Sequence, residues 1–381
     1  MKKIAIISPG VLPVPATHGG AIETLMEFIA KENERIHHKD LTVFSVNGGQ
    51  FIDTSKYKYT NFIFINEQSF LYKIKRIVRG ILSKISKNIN KQYISEVKKI
   101  IKKNKMDFDS VVIENKPQYV LAINKLFPGK VILHMHNDFI HSNLNNVQQI
   151  LNCCKKILTV SGFIKNQILQ VKDVEDKIHV VYNGININNF IESNQKKNKD
   201  FCYTYVGRIV EEKGVNEILT SYEKLSKKYS DIKLIIVGSP KFKGTKDNDL
   251  MKKIKELSLK FKDKILITGF VSYENIPNYY MNSDVMLVPS KCNEALATSV
   301  IEAIASGALL ITTNDGGIPE MVDSSCAYIC DKNNLLKDLE KNMEKAYLNR
   351  EFNEELKKNI KKRREFYSKE RFVTDFFNEI D

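Results

Sequence analysis

Apolar residues fall along the chain in short continuous runs, separated by stretches in which they recur every three or four positions. In the first half the runs lie at residues 3–8, 42–46, 110–114, 130–136, 156–160 and 179–182, with a helical pattern at 21–34. Runs this short and this rich in Ile, Val and Leu predict strands covered on both faces, and their alternation with helices predicts a parallel sheet. A second series follows, with strands at 201–206, 233–237, 264–268, 285–289 and 309–312. Its helices are expected at 214–229, 247–260, 276–282 and 297–306, followed by a set of charged helices. Between the two series, residues 183–200 are rich in Asn, Lys and Ser without periodicity, which predicts a linker. The pattern is therefore α/β: two Rossmann-like, doubly wound domains facing across a central cleft, where open α/β sheets bind ligands.

Composition agrees with this reading and removes several alternatives. A chain of 381 residues is long enough for two cores. With 43% hydrophobic and 27% charged residues, neither disorder nor a membrane span is implied. The longest apolar runs, such as 4–7 and 285–288, fall far short of the ~20 residues that cross a bilayer. Pro9, Pro13 and Pro15 interrupt any signal-like helix after the first strand. Six cysteines make no disulfide framework and read as reduced packing residues of a cytoplasmic protein. The seven histidines show no HExxH and no His–carboxylate cluster along the sequence, so no metal and no cofactor is expected. Phosphate chemistry would then rest on Arg, Lys and backbone amides.

The net charge of +14 is unevenly placed. Residues 73–105 carry twelve Lys or Arg and one acid, Glu96, interleaved with apolar residues at three- and four-residue steps. One reading is a basic amphipathic segment on an anionic membrane surface; the other is a core-packed helix with a solvated lysine face. No nucleic-acid-binding motif accompanies the charge.

Four segments could carry chemistry. Asn293 to Gly307 holds Glu294 before a predicted helix and Glu302 about one turn inside it. A diphosphate at that helix start would take the amides near Ala297, Thr298 and Ser299, and a ribose diol suits the Glu302 carboxylate. A capping acid and an exposed acid would give the same spacing. Gly207, Arg208, Lys213 and Gly214 follow the first strand of the second series, offering two cations to a pyrophosphate or forming a solvated loop. Gly19 and Gly20 precede the first helix without a GxGxxG fingerprint, which counts against an NAD-dependent dehydrogenase. His134 and His136 share a face at a strand end, either as structural histidines or as groups that accept a substrate proton, and Asp138 is near enough in sequence to orient one of them.

In this order and at these intervals, Gly19-Gly20, His136-Asn137-Asp138, Asn183-Gly184 with Phe190, Gly207-Arg208 with Lys213-Gly214, and Glu294 with Glu302 resemble the retaining glycosyltransferases of family GT4, which have the GT-B fold. The resemblance runs from Ile4 to about Glu320. It implies an acceptor-binding domain at 1–190, a nucleotide-sugar-binding domain at 191–362, and a C-terminal helix, 363–381, that returns to the first domain. It assigns Arg208 and Lys213 to the donor diphosphate, Glu302 to the ribose, Glu294 to the transferred sugar and His136 to the reacting centre. Gly20 would lie by the donor phosphates or the acceptor, and Phe270 and Val271 near the base. Ala295-Leu296-Ala297 stands where many members carry Pro-Phe-Gly, which blurs the choice of donor sugar. The implied reaction is metal-independent transfer from a nucleotide diphosphate sugar, with a UDP-sugar favoured, to a glycan or lipid-linked glycan in bacterial capsule or lipopolysaccharide synthesis. A nucleotide-sugar epimerase and a non-catalytic sugar-nucleotide-binding subunit are the competing readings; turnover without an acceptor would mark the first.

Overall fold

The computed structural model describes residues 1–17, 19–37, 39–67, 91–191, 199–239 and 249–381. They group into two compact units, Met1–Tyr182 with Phe372–Asp381, and Asn183–Arg371.

The first unit is a seven-stranded parallel sheet in the order β3-β2-β1-β4-β5-β6-β7. Its strands are β1 (Lys2–Ile7), β2 (Lys39–Val46), β3 (Thr60–Ile65), β4 (Ser110–Glu114), β5 (Val131–Met135), β6 (Lys156–Thr159) and β7 (Ile178–Val180). Ile6 pairs with Val43 on one side and Val112 on the other, and all three are fully buried, as a strand covered by helices on both faces requires. Phe372, Phe376, Phe377 and Ile380 of the last helix, Lys369–Ile380, complete this core.

The second unit has a six-stranded parallel sheet in the order β10-β9-β8-β11-β12-β13. Its strands are β8 (Phe201–Val206), β9 (Ile232–Val237), β10 (Ile265–Gly269), β11 (Val285–Val288), β12 (Leu309–Thr313) and β13 (Tyr328–Cys330). Both sheets grow outward from a central first strand and then reverse. The loops after β1 and β4, and after β8 and β11, therefore meet at a point where helices leave to opposite faces, opening a crevice at the strand ends.

Several expectations need correcting. Strands β3 and β13 fall outside the expected series: β3 is an edge strand whose apolar run, residues 62–65, lies apart from the helix-and-strand alternation, and β13 is three residues long. The linker is partly packed: Ile187 and Phe190 of a short 3-10 turn are buried, with the Phe190 ring edge-on to Tyr280. The terminal helix begins at Lys369, not near 363, after a separate helix Arg350–Lys361. Of the basic stretch, residues 73–90 lie outside the described residues. The helix Lys91–Lys103 buries Tyr93, Ile94, Val97 and Ile101 and exposes Lys99, Lys102 and Lys103. The six cysteines are free thiols, and among the described residues no helix is long and apolar enough to cross a membrane.

Candidate functional site

In the second unit the loops leaving β8 and β11 run side by side because the two strands pair. A 3-10 turn, Glu211–Lys213, aims the Lys213 ammonium at Glu294 on the neighbouring loop, where it donates to Oε1; the Ser290 hydroxyl donates to the same oxygen. Gly214 makes this approach feasible. Its φ is +72°, and a Cβ there would stand 2.1 Å from the Pro289 carbonyl oxygen, so a larger residue would push the helix Val215–Leu225 away from β11. The amide of Gly207, directly after β8, is held by Val237 at 3.0 Å.

The Arg208 guanidinium donates to Glu212 at 2.9 Å with both side chains more than half exposed, a pair that water screens and a ligand anion could replace. The helix Thr298–Ser306 starts after Ala297 with no side-chain cap, and its first backbone bonds come from Val300 and Ile301. The amides of Thr298 and Ser299 precede those bonds and lie at the positive end of the helix dipole.

Glu302 is buried and accepts from the Tyr280 hydroxyl at 2.7 Å. Burial pushes its carboxyl up to about 7, while hydrogen bonds from Tyr280 and Tyr273 limit the rise. The structure thus brings Lys213 and Glu294 together. It gives Arg208 a different partner and commits Glu302 to tyrosines that sequence reasoning did not find. Phe270 is two-thirds exposed just beyond β10, beside a half-buried Val271. A further turn, Asp315-Gly316-Gly317, packs on the Glu294 backbone, with the Gly317 amide 2.7 Å from the Glu294 carbonyl. Its turn composition was readable in the sequence; nothing there pointed to Tyr280.

In the first unit, Gly19 and Gly20 have φ of +74° and +103° and lead into the helix Ala21–Ile36. Glu23, in the first turn of that helix, is buried; burial, then the nearby Glu114 charge, raises its carboxyl to about 7, although a backbone hydrogen bond opposes the rise. Glu114 ends β4 in register with His134 on β5. Its carboxylate lies 2.7 Å from His136 Nε2 and 3.1 Å from His134 Nδ1, and the two rings are 4.1 Å apart. Burial would raise the Glu114 carboxyl, but the two histidines outweigh it and hold the group well down. Burial and the neighbouring His134 bring His136 down, against its contact with Glu114.

Two expectations are corrected here. The carboxylate that orients the histidines is Glu114, and Asp138 is exposed. A His–carboxylate cluster does exist, assembled from adjacent strands and so invisible as a sequence motif; its three side chains offer ligand atoms within 4.8 Å of one another, a set that could hold a metal ion.

Comparison with known proteins gives two family matches. Residues 59–189 match Glycosyltransferase Family 4, and residues 186–363 match Glycosyl transferases group 1. A Bacillus subtilis protein named provisionally as the glycosyltransferase YtcC is 26% identical over 94% of this chain and 87% of its own length. The lipopolysaccharide 1,2-N-acetylglucosaminetransferase of Salmonella typhimurium is 25% identical over 84% of this chain and 83% of its own. Among solved structures, Anabaena HepE in complex with UDP and glucose shares the fold, with a TM-score of 0.73, 16% identity, and coverage of 99% of this chain and 98% of that one.

Proposed function

Because this chain belongs to the GT4 glycosyltransferases, a Family 4 domain followed by a group 1 domain on the GT-B fold, we propose that it moves a sugar from a nucleotide diphosphate sugar, UDP-linked by preference, to a glycan or lipid-linked glycan of a bacterial surface polysaccharide, with retention at the anomeric carbon. The observation that carries the donor site is the Lys213–Glu294 pair beside the uncapped start of the helix Thr298–Ser306. UDP as the nucleotide is supported by the complex of the Anabaena neighbour, and a surface-polysaccharide acceptor by the lipopolysaccharide enzyme among the relatives.

The chemistry follows from charge. An incoming diphosphate competes with Glu294 for Lys213 and with Glu212 for Arg208, and it gains the amides of Thr298 and Ser299. These groups stabilise the negative charge that grows on the departing diphosphate as the glycosidic bond opens, so a protein-bound metal is not needed for that step. Glu294, released from Lys213, accepts from hydroxyls of the transferred sugar. Glu302 takes the ribose diol in place of a tyrosine hydroxyl. The acceptor hydroxyl attacks the face that the diphosphate leaves and passes its proton to the departing diphosphate oxygen, and the basic helix Lys91–Lys103 supplies a contact for an anionic membrane carrying a lipid-linked acceptor.

The test is thermal stabilisation by a panel of nucleoside diphosphates and nucleotide sugars without added metal, on wild type, Lys213→Ala and Glu302→Ala. At 100 times Kd a bound nucleotide adds about 2.7 kcal/mol, a shift of several degrees. A shift with uridine compounds that both variants lose is the expected result; no shift with any of them overturns the reading. Anomeric NMR of the product decides retention against inversion.

A further inference from the structure

The Glu114 cluster is built more tightly than a pair of structural histidines requires. His136 Nε2 approaches Glu114 Oε2 at 2.7 Å, and His134 Nδ1 approaches Oε2 at 3.1 Å and Oε1 at 3.3 Å. Two imidazoles converge on the one carboxyl and hold Glu114 ionised, and an ionised carboxylate can only accept. An ionised Glu114 receiving an N–H from each ring satisfies both contacts. The remaining nitrogens are then acceptors. His134 Nε2 is buried without a hydrogen-bond partner, in a ring 5.7 Å from that of Phe376. His136 is fixed at its own backbone, where Asn115 Oδ1 accepts the amide at 3.1 Å, and its Nδ1 is the ring nitrogen left for a ligand.

We infer that Glu114 is the positioning residue of the first unit's site: it locks His136 as the Nε2–H tautomer, so that Nδ1 presents only a lone pair, a receptor for a saccharide hydroxyl. The inference deepens the transferase reading and rests on it for the identity of the ligand. Its chemical consequence is selectivity. Glu114 lies behind the ring, so an anionic oxygen meets like charge and an acceptor with no proton to give. A neutral sugar hydroxyl can donate to Nδ1; a carboxylate or phosphate oxygen cannot. With the other nitrogen fixed by a carboxylate, the wrong tautomer would present an N–H where a lone pair is needed, and this is how a buried carboxylate controls a reacting imidazole.

The experiment is long-range ¹⁵N–¹H correlation on the full chain, histidine-labelled, at neutral pH, assigned with His136→Gln and His134→Gln. The expected pattern is Nε2–H for His136 and Nδ1–H for His134. Glu114→Gln keeps the shape but brings an amide donor into the cluster, so His136 should lose its single tautomer. Sugar transfer by that variant should fall in kcat by about 100-fold, with KM for the donor little changed. Nδ1–H on His136, or a tautomer pattern that Glu114→Gln leaves intact, overturns the assignment. So does zinc that stays with the dialysed chain and moves both histidine signals when chelated, since the cluster would then be a metal centre. The expected tautomers without turnover of any nucleotide sugar would uphold Glu114 and sink the transferase reading instead.

Discussion

Glu302 shows how one buried group can report on a site. It was read in the sequence as the carboxylate for a ribose diol, and the fold surrounds it with hydroxyls from Tyr280 and Tyr273, tyrosines whose positions carried no signal in the sequence. Its carboxyl stands near 7 when folded, against an ordinary value of 4.5. Between those values the folded chain keeps a proton that the unfolded chain has lost. The stabilisation is therefore complete below about pH 4.5 and declines as pH rises to about 7, by on the order of 3 kcal/mol, then levels off. Denaturant titrations from pH 5 to 8 should show this decline in wild type and a shallower one in Glu302→Gln, where Glu23 still contributes in the same direction. Equal slopes would mean that Glu302 ionises freely in the fold.

Among the elements, the turn from β8 into the helix Val215–Leu225, part of the proposed donor site, is tightly constrained. Gly214 combines a left-handed backbone with a Cβ position blocked by the Pro289 carbonyl. Gly19 has the same sign of φ, +74°, and nothing within 4 Å of its Cβ position. The comparison separates strain from collision. Gly19→Ala should lose roughly 1 kcal/mol from backbone strain alone. Gly214→Ala should lose clearly more, and should weaken nucleotide binding as the helix withdraws from β11. Similar melting points for the two variants would show that the turn can relax around a methyl group. Both glycines were visible as candidate ligand approaches, but the obstacle at Gly214 belongs to a residue 75 positions away in the chain, which no local pattern can reveal.

For the chain as a whole, its charge bears on where it works. The helix Lys91–Lys103 is anchored in the first unit's core and exposes Lys99, Lys102 and Lys103, so the packed-helix and surface-binding readings are compatible there. Each lysine near an anionic surface is worth about 1 kcal/mol, so replacing all three with Gln should weaken binding to phosphatidylserine-containing vesicles by roughly 100-fold at low salt. Melting temperature should hardly change, because these side chains lie outside the core. Vesicle binding that survives the triple change would reduce the charge on this helix to a solvated face.

The alternation of apolar runs and helical periods was sufficient to specify two parallel α/β units, because a strand covered on both faces has to be apolar along its length, and that requirement is local. The same holds for the ordered motifs that mark the family, of which Gly207, Arg208, Lys213 and Glu294 sit in loops between a strand and the next helix. Pairings between strands are set by sheet order, which the chain does not write in any one segment. Placing β4 beside β5 turned Glu114, a residue with no motif, into the partner of His134 and His136. Placing β8 beside β11 brought Lys213 to Glu294. Packing against distant residues also buried Glu302 and Glu23 and raised their carboxyls, since desolvation depends on the whole surrounding core and leaves no mark on the sequence around the group.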